Sequence, residues 1–257
     1  MRIMGYFTIG SNPRWGKENP DFSYGCSPIM QQGKPHNCHI PYTDRYLSYL
    51  DSAVRDVISK TDIDGFMLDW LWQPLRESTN GKWIECEKKL FEQLMGKPFP
   101  GEDNLSDSEE VAYSRKAIDR CWETVRKAAK ETKPSCILWL SCNNPKHPHV
   151  QNSILFKQID WLMNEAGDLE SINAVKSMIG PNTTLVTCLA AWNKMDAVKL
   201  IPDAMKNNIG LYGFIPPKCY KPVSYFLSMP VDSFRDDERN TAALARAYNN
   251  LPMDYVK

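Results

Sequence analysis

Six short runs of successive apolar residues, each followed by a polar or aromatic cluster, constrain the fold of this 257-residue chain more than any other feature. They span 3–9, 63–68, 136–140, 159–163, 184–189 and 209–215. A strand with one wet face alternates apolar and polar positions, whereas one covered on both faces is apolar throughout. These runs are of the second kind and read as strands of a parallel sheet.

Helical patterns fill the gaps. After Thr43 as N-cap, Tyr46, Leu47, Leu50, Val54, Val57 and Ile58 recur along one face at the helical period. Ser106 followed by Glu109 has the spacing of a capping box. It opens a long helix striped by Val111, Ile118, Trp122, Val125 and Ala129 and ended by Pro134. Asp168 is expected to cap a helix through Leu169, Ile172 and Val175 that stops at Gly180, and 195–208 and 238–250 complete the set.

Strand, loop, helix, strand is the signature of parallel βαβ units. No repeat or linker divides the chain, so residues 1–257 read as one domain. A closed (β/α)8 barrel takes about 250 residues and eight strands. Six runs are visible, and the first begins almost at Met1. The expected fold is therefore α/β, a (β/α)8-type barrel lacking its first two βα units. An open doubly wound sheet, which needs no closure, is the rival.

Composition narrows the partners. Thirty-one Lys and Arg balance 31 Asp and Glu, which leaves no electrostatic footprint for nucleic acid or an anionic membrane. No apolar run approaches the ~18 residues of a membrane span. The N-terminal residues lack a leader pattern, which implies a cytoplasmic protein or a processed or truncated periplasmic or secreted one. A homo-oligomer is compatible with all of this. Of the eight cysteines, Cys136, Cys142 and Cys188 sit in apolar runs and read as small hydrophobes. Cys26 and Cys38 are loop residues that would bridge only in an oxidising compartment.

In both parallel architectures the ligand site lies beyond the carboxyl ends of the strands. Asn12, Arg14 and Trp15 follow the first run; Asp69, Trp70 and Trp72 the second; Asn143 the third; Glu165 the fourth; Trp192 the fifth. Amides, acids and an arginine suit sugar hydroxyls, and indoles suit the apolar faces of sugar rings. Any single tryptophan is more economically a packing residue, but tryptophan after three different strands points to a cleft.

Asp69 closes an apolar strand, where an acid is costly unless used or paired. With Glu165 it forms the pair of carboxylates that glycoside hydrolysis requires. A salt bridge for Asp69 and a helix cap for Glu165 are the structural alternatives. A carboxyl separation of about 5–5.5 Å implies retention, and roughly 6.5–9.5 Å inversion. His36, with Cys38 and His39, matches no usual zinc spacing and reads as a substrate contact, so no metal is expected. No phosphate-binding Gly-rich loop or Gly-x-Ser-x-Gly elbow is present, so no nucleotide cofactor is expected either.

The order of Gly5-Tyr6-Phe7-Thr8-Ile9-Gly10-Ser11-Asn12-Pro13-Arg14-Trp15, Cys38-His39-Ile40-Pro41-Tyr42 and Ile63-Asp64-Gly65-Phe66-Met67-Leu68-Asp69 resembles the α-L-fucosidase-like glycoside hydrolases, a barrel group related to glycoside hydrolase family 29. The long helix with Tyr113, Arg115 and Arg120 continues the likeness, which is good over the first half and loose over the second. The resemblance implies Asp69 as nucleophile of a retaining mechanism and, less directly, Glu165 as acid/base. The substrate would be a fucoside or related glycan, held by Asn12, Arg14, Trp15, His36, Trp72, Asn143 and Trp192. The sequence departs from the group in lacking the first two strands and in reducing a cysteine-rich stretch to Cys86. A non-catalytic sugar-binding protein on a degenerate barrel, and a metal-dependent hydrolase using His36 and His39, are the competing readings.

Overall fold

The computed structural model describes residues 2–25, 30–31, 34–35, 38–69, 76–142, 144–164, 169–189 and 197–213. The expected cap at Asp168 and the helix over 238–250 lie outside them. The chain groups into two compact units, Met1–Asp160 with Met178–Thr183, and Trp161–Ser177 with Thr184–Lys257.

The first unit contains β1 (Met4–Thr8), α1 (Pro13–Glu18), an antiparallel pair β2 (Met30–Gln31) and β3 (Lys34–Pro35), α2 (Asp44–Lys60), β4 (Gly65–Asp69), α3 (Glu85–Met95), α4 (Asp107–Thr132), β5 (Ile137–Ser141) and α5 (Leu155–Gln158). Strand β4 lies between β1 and β5 and runs parallel to both. The second unit contains β6 (Trp161–Asn164), α6 (Leu169–Asn173), β7 (Thr184–Leu189), α7 (Ala197–Lys206) and β8 (Gly210–Gly213). There β7 runs parallel to β6 and β8. Each of the six apolar runs thus holds a strand parallel to its neighbours, and the fold is α/β.

Several strands start a residue or two later than expected, and at the start of β4 a polar group holds the entry point. Asp64 precedes β4 and its carboxylate accepts the Ile3 N–H at 2.7 Å, joining the starts of β1 and β4. Helix α2 buries Tyr46, Leu47, Leu50, Val54 and Ile58, but Val57 is 39% exposed because it lies at the margin of the apolar stripe. Helix α6 ends at Asn173, well short of Gly180; turns then carry Val175 into the core. Helix α3 escapes a periodicity reading because its buried face mixes Leu90 and Phe91 with the acid Glu87.

Helices α2 and α4 pack together, and Tyr46, Leu50, Val54, Ile118, Cys121, Trp122 and Val125 are buried almost completely. The Tyr46 hydroxyl donates to the Ile9 carbonyl at 2.6 Å, fastening α2 to the chain just beyond β1. The Trp122 Nε1–H donates to Gln158 Oε1 at 2.7 Å, so this large indole leaves no polar atom stranded. Among the described residues, no helix is long and apolar enough to cross a membrane.

The capping box is present at the start of α4: Ser106 Oγ accepts the Glu109 N–H, and Glu109 accepts the Ser106 N–H at 3.0 Å. Lys97 first, then Ser106, hold the Glu109 carboxyl down to about 2. Ser106→Ala is expected to cost about 1 kcal/mol, read as a lower urea midpoint at unchanged slope. An unchanged midpoint would mean that the Lys97 pair alone secures this helix end.

Candidate active site

Paired residues of neighbouring parallel strands project to the same face of the sheet. Tyr6 is opposite Met67, Thr8 opposite Asp69, and Met67 opposite Trp139. One face therefore carries Tyr6, Thr8, Met67, Asp69 and Trp139, and the other Phe7, Phe66, Leu68, Leu138 and Leu140. Asp69 is the one residue of β4 that is not buried, and Tyr6 beside it is 59% exposed. The first face is thus accessible where β1 and β4 end.

The Asp69 carboxylate accepts a hydrogen bond from the Tyr6 hydroxyl. Its backbone carbonyl accepts the Ile9 N–H at 3.0 Å, so the strand end is fixed while the side chain stays accessible. Partial solvation and a phenolic donor spare this carboxylate the cost of a bare buried charge. Such a group can act as a nucleophile or a base toward a molecule approaching from the open side. Cys142, just beyond β5, is pushed up to about 12 by burial, with the Asp69 charge adding. It is a thiol at neutral pH and no competing nucleophile.

The rim beyond β1 is built by residues 38–40, which run antiparallel to 10–12. Ser11 bridges His39, Ile40 N–H donates to the Gly10 carbonyl at 3.2 Å and Asn12 N–H to the Cys38 carbonyl at 3.1 Å. The Cys38 N–H donates to Ser11 Oγ at 3.0 Å. Cys38 is disulfide-bonded, and His39 is buried.

The structure gives several of the anticipated residues definite positions. Asn12 is the N-cap of α1: its Oδ1 accepts the Trp15 N–H at 2.9 Å, and its Nδ2 donates to the Tyr49 hydroxyl at 3.1 Å. Trp15 is buried, with its ring 4.8 Å from that of Tyr46 and 6.1 Å from that of Tyr49. Asn12 and Trp15 are thereby engaged within the turn from β1 into α1. Arg14 projects from the same helix, 90% exposed at its side chain and 3.2 Å from Glu18. His36, Trp72, Asn143, Glu165 and Trp192 lie outside the described residues. Among the described residues, no three of His, Cys, Asp and Glu come together as a metal-holding group.

Sequence reasoning missed Tyr6 as a site residue. Its parity within the first apolar run was legible, but its meeting with Asp69 depends on the register between β1 and β4. It also missed a buried cluster that follows Asp69 along the chain. Arg76 grips Glu87 with two nitrogens, Nε at 3.0 Å and Nη2 at 2.7 Å, and reaches Glu110 with Nη1 at 2.6 Å.

No family model matches this chain, and no curated protein matches it. Solved structures do resemble it. One is α-L-fucosidase isoenzyme 2 from Paenibacillus thiaminolyticus, at TM-score 0.51 and 12% identity, covering 97% of this chain and 38% of that one. Another is an agarase, AgWH50C, at TM-score 0.52 and 11% identity, covering 96% of this chain and 45% of that one. The chain spans less than half the length of either. At such identity the likeness concerns fold alone, a parallel α/β arrangement.

Proposed function

We propose that the protein is a glycoside hydrolase that cleaves an O-glycosidic bond in a fucoside or a related glycan, with Asp69 as its nucleophile. The observation that carries this is the half-buried Asp69 carboxylate at the carboxyl end of β4, held by the Tyr6 hydroxyl on an accessible strand face. In this reading an Asp69 oxygen attacks the anomeric carbon as the aglycone oxygen leaves with a proton from Glu165. Water, deprotonated by Glu165, then releases the sugar, and the configuration is retained. Tyr6 orients the attacking oxygen. Arg14, His36, Trp72, Asn143 and Trp192 contact the sugar, and Asn12 and Trp15 contribute by shaping the turn that carries Arg14. The partner is thus an oligosaccharide or glycoside, with no cofactor required. The likeness in fold to an α-L-fucosidase and an agarase supports the reaction class.

An activated 2-deoxy-2-fluoro glycoside tests the assignment, because it forms the glycosyl ester and hydrolyses slowly. The label is expected on the peptide containing Asp69, and labelling elsewhere would overturn the nucleophile. Tyr6→Phe is expected to slow labelling about tenfold, the equivalent of one charge-assisted hydrogen bond of about 1.4 kcal/mol. An unaltered rate would remove Tyr6 from the site.

A further inference from the structure

Seven positions after Asp69, the chain enters a buried cluster of charge. Glu87 is completely buried and accepts from four donor atoms. The guanidinium of Arg76 supplies two in a fork, at 3.0 and 2.7 Å, the Tyr113 hydroxyl a third at 3.2 Å, and the Tyr24 hydroxyl the fourth. Tyr24 is itself held, accepting from Arg76 Nε at 3.2 Å and from the Ile84 N–H at 3.3 Å. The Arg76 guanidinium also stacks 3.7 Å from the Trp83 ring centre and donates to Glu110 on α4 at 2.6 Å. Burial works against the Arg76 charge, but its two carboxylates outweigh that and its pKa rises.

Such a cluster is a poor way to gain stability. Two charges taken out of water recover little more than they lose, and well-packed apolar side chains of similar volume do as well or better. The apolar contribution beside it comes from Trp83, Leu90, Phe91 and Tyr113. What a saturated fork on a buried carboxylate does supply is a single geometry. Helix α4 treats the next loop in the same way. Ser114 Oγ bonds His149 Nδ1 at 3.0 Å, Arg115 Nε donates to the Pro148 carbonyl at 3.0 Å, and Asp119 accepts the Ile154 N–H at 3.0 Å. One helix therefore fastens the segments that follow both β4 and β5.

We propose that Arg76 is a positioning residue: by gripping Glu87 on α3 and Glu110 on α4, it fixes residues 76–84, which precede α3, and so sets the geometry of the site. This rests on reading Asp69 as part of the site, and the test separates the two claims. Arg76→Lys keeps the charge but cannot form the fork. In the full chain, hydrogen exchange over 76–84 is expected to quicken about tenfold, a local opening of the kind exchange resolves, while β1, β4, β5 and the second half of α4 keep wild-type rates. In the same variant, KM for a 4-nitrophenyl glycoside cleaved by the wild type is expected to rise severalfold with kcat little changed, which a loss of global stability would not produce. Unchanged exchange over 76–84, or a rise spread evenly over the unit, would overturn the proposal. If Arg76→Lys does not fold, Glu110→Gln removes the outer partner alone and is expected to give the same pattern more weakly; unchanged exchange there would overturn it equally. A wild-type chain that cleaves none of a panel of nitrophenyl glycosides would count against the glycosidase reading, and the exchange pattern would still decide the positioning role.

Discussion

Asp69→Asn is expected to reduce hydrolysis of a nitrophenyl glycoside by on the order of 10^3-fold or more, with the melting temperature within a few degrees of wild type. The two effects part because the substitution is nearly isosteric. Asparagine offers a carbonyl oxygen to the Tyr6 hydroxyl, which now donates to the Asp69 carboxylate. The strand end is held through the backbone, Asp69 carbonyl to Ile9 N–H at 3.0 Å, and that bond does not depend on the side chain. What is lost is the negative charge and the lone pair able to form an ester at the anomeric carbon. In Asp69→Ala, which removes the carboxylate and leaves room in its place, external azide or formate is expected to restore part of the turnover by taking the position of the missing nucleophile. Wild-type rates in Asp69→Asn would take Asp69 out of the chemistry and favour a sugar-binding role for the same face.

Gly65→Ala is expected to be the most damaging small substitution, costing about 3 kcal/mol or more, at the upper end of the range for overpacking a tight core. A Cβ at Gly65 would stand 2.0 Å from the Ile137 carbonyl oxygen and 2.8 Å from the Ile137 carbonyl carbon. Those atoms are backbone, so no side-chain rotation relieves the clash. The β4–β5 pairing must open at the register point where Gly65 faces Ile137. Since β4 ends at Asp69, the substitution also displaces the proposed nucleophile. Chemical denaturation should show a lower midpoint, and expression should shift toward insoluble protein. Unfolding that matches wild type would mean that β5 can retreat without loss, contrary to the close packing of Leu138 and Leu140 in the core.

The strands were legible because their signal is local. A run such as 184–189 is apolar at successive positions whatever surrounds it, and β7 spans Thr184–Leu189. The capping box at Ser106 and the cap at Thr43 were legible for the same reason, since cap and acceptor lie within one helical turn. Helix α3 and the short α1 were not, because their buried positions carry Glu87 and Gly16 in place of an apolar stripe. Asp69 stood out as an acid ending an apolar strand. Trp15, read from the same inventory of residues after strands, turned out to pack on Tyr46, because its direction follows from the Asn12 cap of α1 and not from its distance beyond β1.

By itself, then, the sequence determined which segments are strands, which are the long helices, and which strand ends in a carboxylate. Those properties follow from side-chain polarity and from hydrogen bonds within a few residues. Only the tertiary structure decided that Tyr6 meets Asp69, that Gly65 faces the Ile137 backbone, and that Arg76 closes on Glu87 and Glu110. These pairings depend on strand register and helix docking between segments far apart in the chain, where a one-residue slip would turn each side chain to the opposite face.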